Sequence, residues 1–158
     1  MFFHIGRTAV AASTHHKENT MASKEKNYAV KEIGNFADVA GKEFDGMKGR
    51  VMLGAALGLT GCEMSINGLP AGKGSGFTHS HKMNEEVYVI VCGSGVFYVD
   101  GEEFPVREGS MIRVAPKGSR ALKANEPMTY ICIQANTGSL KQATMDDGVL
   151  LDDKASWM

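Results

Sequence analysis

The sequence has no long hydrophobic run. Its longest unbroken apolar stretch is residues 87–92 (VYVIVC), far short of a membrane-spanning helix. It has no charge bias, with 17 Lys and Arg against 18 Asp and Glu, a net charge of −1. A balance so near neutrality argues against a generic nucleic-acid binder and against a polybasic membrane-surface protein. It has no CxxC pair; its three cysteines, Cys62, Cys92 and Cys132, stand far apart and are odd in number. That usage fits reduced thiols in a cytosolic protein better than a disulfide framework. All three lie in apolar stretches and read as buried small hydrophobes rather than nucleophiles. There is no internal repeat, no low-complexity tract and no segment of helix length with a 3.6-residue period.

What is present is ordinary globular composition with an excess of glycine. Hydrophobic residues make up 43% and charged residues 22% of the 158 residues, which argues against a mainly disordered chain. The 19 glycines exceed the usual share of about 7% and favour a turn-rich, all-β architecture. Residues 1–27 differ from the rest. They hold His4, His15 and His16 with little periodicity and read as a disordered leader. Residues 1–14 (MFFHIGRTAVAAST) partly match an organelle transit peptide but lack its Arg density. The stretch from Met21 to Lys24 also reads as a start of translation. Residues 28–158 read as a single domain.

Strand signals dominate that body. Residues 62–67 alternate apolar and polar before Gly68 and Pro70 break them. Residues 86–91 are β-branched and aromatic and end at Gly93. Residues 96–99 lead into the hairpin signal Asp100-Gly101, and residues 102–106 run back with Pro105 marking an edge or a strand end. Residues 111–114 and 129–134 are the last clear strands, and residues 35–42 suggest a short helical turn. Residues 51–59 (VMLGAALGL) read as a strand with a Gly-broken partner. Turns recurring every 8–12 residues predict an all-β sandwich or barrel.

The chemistry concentrates at His79, His81 and Glu86. On an extended chain, positions two apart share a side, so His79 and His81 point together into the barrel. Residues 82–85 reverse the chain, and Glu86 opens the next strand facing the same interior beside Tyr88 and Ile90. Two imidazoles and a carboxylate converging on one point suit a divalent transition metal with open positions. Without a metal, the two histidines would instead hydrogen-bond to Glu86 and Tyr88. The glycines of residues 72–76 are followed by no helix and no GK[ST] ending, so they are not a phosphate loop.

The stretch His79-Ser80-His81-Lys82-Met83-Asn84-Glu85-Glu86, with Gly93 after six more residues, resembles the first motif of the cupin superfamily. The run from Gly109 to Asn125, with its Pro116-x-Gly118 turn, resembles the second. The likeness covers about residues 60–135 and is to the small single-domain (cupin-2 type, RmlC-like) form. It implies an all-β, double-stranded β-helix (jelly-roll) barrel, a homodimer, and a metal held by His79, His81, Glu86 and a third histidine. Glu86 fits the spacing to Gly93; Glu85 takes its place if the loop is tighter. The third histidine is missing, because its position by spacing is Ala121 and residues 28–158 hold no other histidine.

Arg113, Lys117, Arg120 and Lys123 form a basic set that reads as a solvated loop. If one enters the barrel mouth, Arg113 comes first, as a charge inside a β-branched strand, and Arg120 next, beside the vacant position 121. Either would hold a carboxylate, phosphate or sugar acid, with Tyr88 lining the same site. The lone Trp157 is expected to pack on the barrel or across a dimer seam. The expectation is a cytoplasmic barrel binding Fe, Mn, Zn or Ni and a small polar organic ligand, with oxygenase- or isomerase-type chemistry. The alternative is a non-catalytic binder of a sugar or organic acid with a lapsed metal site. Neither involves nucleic acid or membrane.

Overall fold

The computed structural model describes residues 27–142 and 144–158. The leader expected over residues 1–27 lies outside the described residues, apart from Asn27. A 3-10 helix, Phe36–Gly41, comes first, its amino end capped by the Asn35 side chain accepting from the Ala37 amide. Three short strands follow: β1 (Glu43–Phe44), β2 (Met47–Lys48) and β3 (Arg50–Met52). A single helical turn, α1 (Gly54–Leu57), ends at Gly58 in the left-handed conformation. Then come β4 (Glu63–Leu69), β5 (Asn84–Cys92), β6 (Ser94–Val99), β7 (Glu102–Arg107), β8 (Met111–Val114), β9 (Arg120–Ala124) and β10 (Met128–Asn136), with a last helical turn α2 (Thr144–Asp147).

The strands form a five-stranded sheet, β3-β4-β10-β5-β8, a three-stranded sheet, β7-β6-β9, and the small ribbon β1-β2, all antiparallel. The two larger sheets close on one another as a jelly-roll barrel. The β6–β7 hairpin turns at Asp100 and Gly101, with φ of 50° and 95°, the left-handed pair that a two-residue turn of this kind requires. Pro105 sits in β7, which pairs only with β6, so its missing amide faces an edge as the sequence predicts.

Period-two alternation divides the large sheet into two faces. Tyr88, Ile90 and Cys132 point inward and pack with Phe97, Val106, Leu122 and Met128 from the rest of the barrel. Ile66 and Ile131 point outward and pack with Val39 of the 3-10 helix, Val51 and Leu53. The helix at Phe36–Gly41 therefore covers the outer face of the sheet, and Gly68 gives it room, since a Cβ there would collide with the Ala40 backbone. Residues 51–59 depart from expectation: only their start is a strand, because the chain turns into α1 once Val51 and Leu53 have buried themselves.

Strand β9 is the element that the sequence concealed. Arg-Ala-Leu-Lys-Ala has no β-branched or aromatic residue, yet it pairs along β6 from Gly95–Ala124 to Val99–Arg120. The basic set at 113, 117, 120 and 123 is thus spread over two strands and a turn rather than one loop. All three cysteines are free, with Cys132 buried and Cys62 and Cys92 half-buried, less enclosed than expected. Trp157 is exposed on this chain, not packed on the barrel.

Candidate functional site

A cavity of about 210 Å³ opens between the two sheets, with His79, His81, Glu86, Tyr88 and Arg120 in its wall. His79 reaches it because its backbone bridges to Arg120, the two residues exchanging amide-to-carbonyl bonds of 3.2 and 3.0 Å. His81 is tied by its amide to the Pro116 carbonyl at 2.7 Å. The expected two-residue alternation therefore holds on both walls. His79 and His81 come from the chain leading into β5, and Glu86 and Tyr88 from β5 itself. One potential ligand atom from each of His79, His81 and Glu86 lies within 4.8 Å of the others.

Glu86 is the hub. Residue and side chain are almost fully enclosed, and both carboxylate oxygens are engaged. Arg120 donates to Oε2 from Nε at 2.9 Å and from Nη2 at 2.5 Å, and the Tyr88 hydroxyl donates to the same oxygen. Oε1 lies 2.8 Å from His81 Nε2. Burial alone would raise the carboxyl pKa, but the bonds from Tyr88, His81 and Arg120 outweigh it and hold the group below its ordinary value, so Glu86 is a carboxylate. Burial and the bond to Glu86 push the Tyr88 hydroxyl far above its usual range, so it stays a proton donor. Burial and the nearby Arg120 charge lower the His79 pKa and keep that ring neutral. A neutral imidazole is the form that binds a metal.

Arg120 is 1% exposed. Its Nη1 donates to the carbonyls of Gly118 (3.1 Å) and His79 (3.3 Å), so the guanidinium is tied to both walls. Here the spacing-based picture changes. Position 121 matches the third histidine by count, but alternation along β9 turns Arg120, Leu122 and Ala124 into the barrel. Ala121 pairs with Tyr98 and only borders the cavity. An arginine, not an empty place, stands where β9 enters the site.

Arg113 requires a correction. It lies on β8 opposite Val87, exposed, with Nη2 2.6 Å from Glu85 Oε2, and it is absent from the cavity wall. Its strand parity turns it outward, where an acidic neighbour from β5 satisfies the charge. The same parity turns Glu85 outward, so Glu86 is the inward acid. Tyr88 lines the cavity, but its hydroxyl is committed to Glu86. Two lining residues carried no local signal in the sequence: Arg50 on β3 and Cys132 on β10. Burial, with the nearby Glu86 charge, pushes the Cys132 thiol up to about 12.

The three candidate ligands fit a divalent ion. His79 Nδ1 is buried without a hydrogen-bond partner among the described residues, an expense a protein rarely tolerates without use. Two ligand atoms about 2.1 Å from one ion and at right angles stand about 3.0 Å apart. The 2.8 Å separation of His81 Nε2 and Glu86 Oε1 is close to that. Arg120 and Tyr88 hold Oε2, which leaves Oε1 as the oxygen aimed at the histidines.

Comparison with known proteins agrees with this architecture. A family model described as "Cupin domain" matches residues 67–134. The crystal structure of a cupin protein from Bacteroides fragilis is 41% identical, over 80% of this chain and 98% of that one, with a TM-score of 0.69. An uncharacterized protein of Methanocaldococcus jannaschii is 34% identical over 56 residues, and the match spans 45% of that relative's length. The barrel, both motifs and the near-complete match to the Bacteroides protein agree: this chain belongs to the cupin superfamily.

Proposed function

We propose that the barrel binds a divalent transition metal through His79, His81 and Glu86, and beside it a small polar organic molecule. The observation that carries this reading is the convergence of three ligand atoms within 4.8 Å, one from a histidine whose buried ring nitrogen has no other partner. Fe, Mn, Zn and Ni all accept such a nitrogen and oxygen set. When bound, the metal supplies Lewis acidity and a template for the ligand, the chemistry that oxygenase- and isomerase-type reactions use.

The chain's own residues set the conditions. Tyr88 and Arg120 fix Glu86 by one oxygen and keep it ionised. Arg120 also cancels the Glu86 charge, so the ligand set contributes no net negative charge toward the cation. That cancellation favours a second reading, a non-catalytic binder of small molecules with a weakened metal site. Elemental mass spectrometry of the purified chain, with a His79→Ala/His81→Ala control, separates the two. Near one equivalent of a transition metal, lost in the control, is expected. No metal after incubation with Fe(II), Mn(II), Zn(II) and Ni(II) would refute the metal reading.

A further inference from the structure

The charged side chains of the cavity wall do not balance. Glu86 and Arg120 neutralise one another at 2.5 Å, and the remaining charged residue in the wall is Arg50. Arg50 lies on β3, exposed to solvent yet lining the cavity. Its partners among the described residues are neutral. Nε donates to Asn67 Oδ1 at 2.7 Å, and Tyr130 lines the same part of the cavity wall. No carboxylate pairs with it among the described residues.

Arg50 is also held in place. Arg50 and Asn67 are register partners between β3 and β4, and Asn67 and Tyr130 are partners between β4 and β10. Asn67, 4% exposed, donates in turn to Ser65 Oγ at 2.9 Å. One row across the sheet therefore locks the guanidinium by its Nε. An arginine fixed in that way presents a planar fork suited to two-point contact with a carboxylate. The cavity, about 210 Å³, is smaller than the roughly 300–1,000 Å³ of sites for drug-sized ligands.

We infer that Arg50 is the ligand-recognition residue of this barrel and that its ligand is a small organic carboxylate, held by the guanidinium with Asn67 and Tyr130 beside it. This deepens the proposed function, since the carboxylate occupies the same cavity as the metal ligands. It does not depend on the metal for its charge complement. With Glu86 and Arg120 cancelled, the wall carries a net positive charge from Arg50 alone, and a bound cation would add to it.

The test uses the full chain, wild type and Arg50→Gln, each stripped with EDTA and separately loaded with Zn(II). Titration calorimetry measures lactate, pyruvate, the neutral isostere lactamide, and inorganic phosphate. The expected result is that lactate or pyruvate binds the wild type, lactamide does not, and Arg50→Gln weakens the carboxylate at least tenfold. Zinc content and the circular dichroism melting curve should be unchanged by the substitution. Equal binding by Arg50→Gln overturns the inference, as does equal binding of lactamide, tighter binding of phosphate, or no binding of either acid. A chain that takes up no zinc but still binds the acid through Arg50 sinks the metal reading and leaves this inference standing.

Discussion

Removing the Arg120 guanidinium isolates the charge at the centre of the barrel. Arg120→Met keeps most of the side-chain volume while deleting five donors. Glu86, 3% exposed, would lose both Arg120 bonds to Oε2 and keep only the Tyr88 and His81 contacts. The carbonyls of Gly118 and His79 would lose their Nη1 donor. Breaking one side of a buried ion pair costs about 3–5 kcal/mol, because the other charge is left uncompensated. That is a large part of a total stability of about 5–15 kcal/mol. At about 2–4 °C per kcal/mol for a chain of this size, the melting temperature should fall by roughly 6–20 °C. Urea unfolding followed by circular dichroism, in EDTA, measures the loss directly. The loss should shrink as the pH is lowered, because without Arg120 burial is opposed only by the Tyr88 and His81 bonds, the Glu86 pKa lies higher than in the wild type, and protonation removes the stranded charge. The double substitution Glu86→Gln/Arg120→Met should be more stable than either single one, with a coupling of about 2–3 kcal/mol. Additive single effects, or a loss under about 1 kcal/mol in Arg120→Met, would refute the buried-pair account.

Two further outcomes follow from the site's electrostatics. His79 and Glu86 both have folded-state pKa values below their ordinary values, so the unfolded chain takes up protons first as pH falls. Stability of the EDTA-treated protein should be complete above about pH 6.5, the ordinary histidine value. It should decline as pH drops, first through His79 and then, below about pH 4.3, through Glu86. His79→Ala should flatten the first decline in urea midpoints, and a stability that instead rises on acidification would contradict the signs. Cys132 is 8% exposed, with a thiol pushed up to about 12. It should resist iodoacetamide at pH 8 in the folded protein and react on unfolding, and mass mapping of rapid modification under native conditions would contradict its burial.

The barrel was legible from short-range pattern. Alternation at 62–67, the β-branched and aromatic run at 86–91, the Asp100-Gly101 turn and the edge proline at 105 each encode a local conformation that pairing then uses, and all appear in the structure. The inward histidines and Glu86 were legible for the same reason, since side-chain direction along an extended chain follows from counting in twos. Strand β9 was not. Its residues carry no strand preference, and its conformation is imposed by hydrogen bonding to β6.

Arg113 and Arg120 show where counting stops. Both are arginines in the second motif, and the more strand-like setting of Arg113 suggested that it would face inward. Which face of a strand is buried depends on the sheet's pairing, and β8 against β5 sends Arg113 out to Glu85. Pairing of β9 with β6 sends Arg120 in to Glu86. Arg50 had no local mark at all, because its row with Asn67 and Tyr130 joins residues distant in sequence. By itself, the sequence indicated most of the long strands, their turns and the shared inward side of His79, His81 and Glu86, because each rests on conformational preferences within a few residues. Only the tertiary structure decided which arginine faces the carboxylate, which faces solvent and which is left for a ligand. Those choices depend on register between strands, and register is set by burying one whole face of a sheet at once.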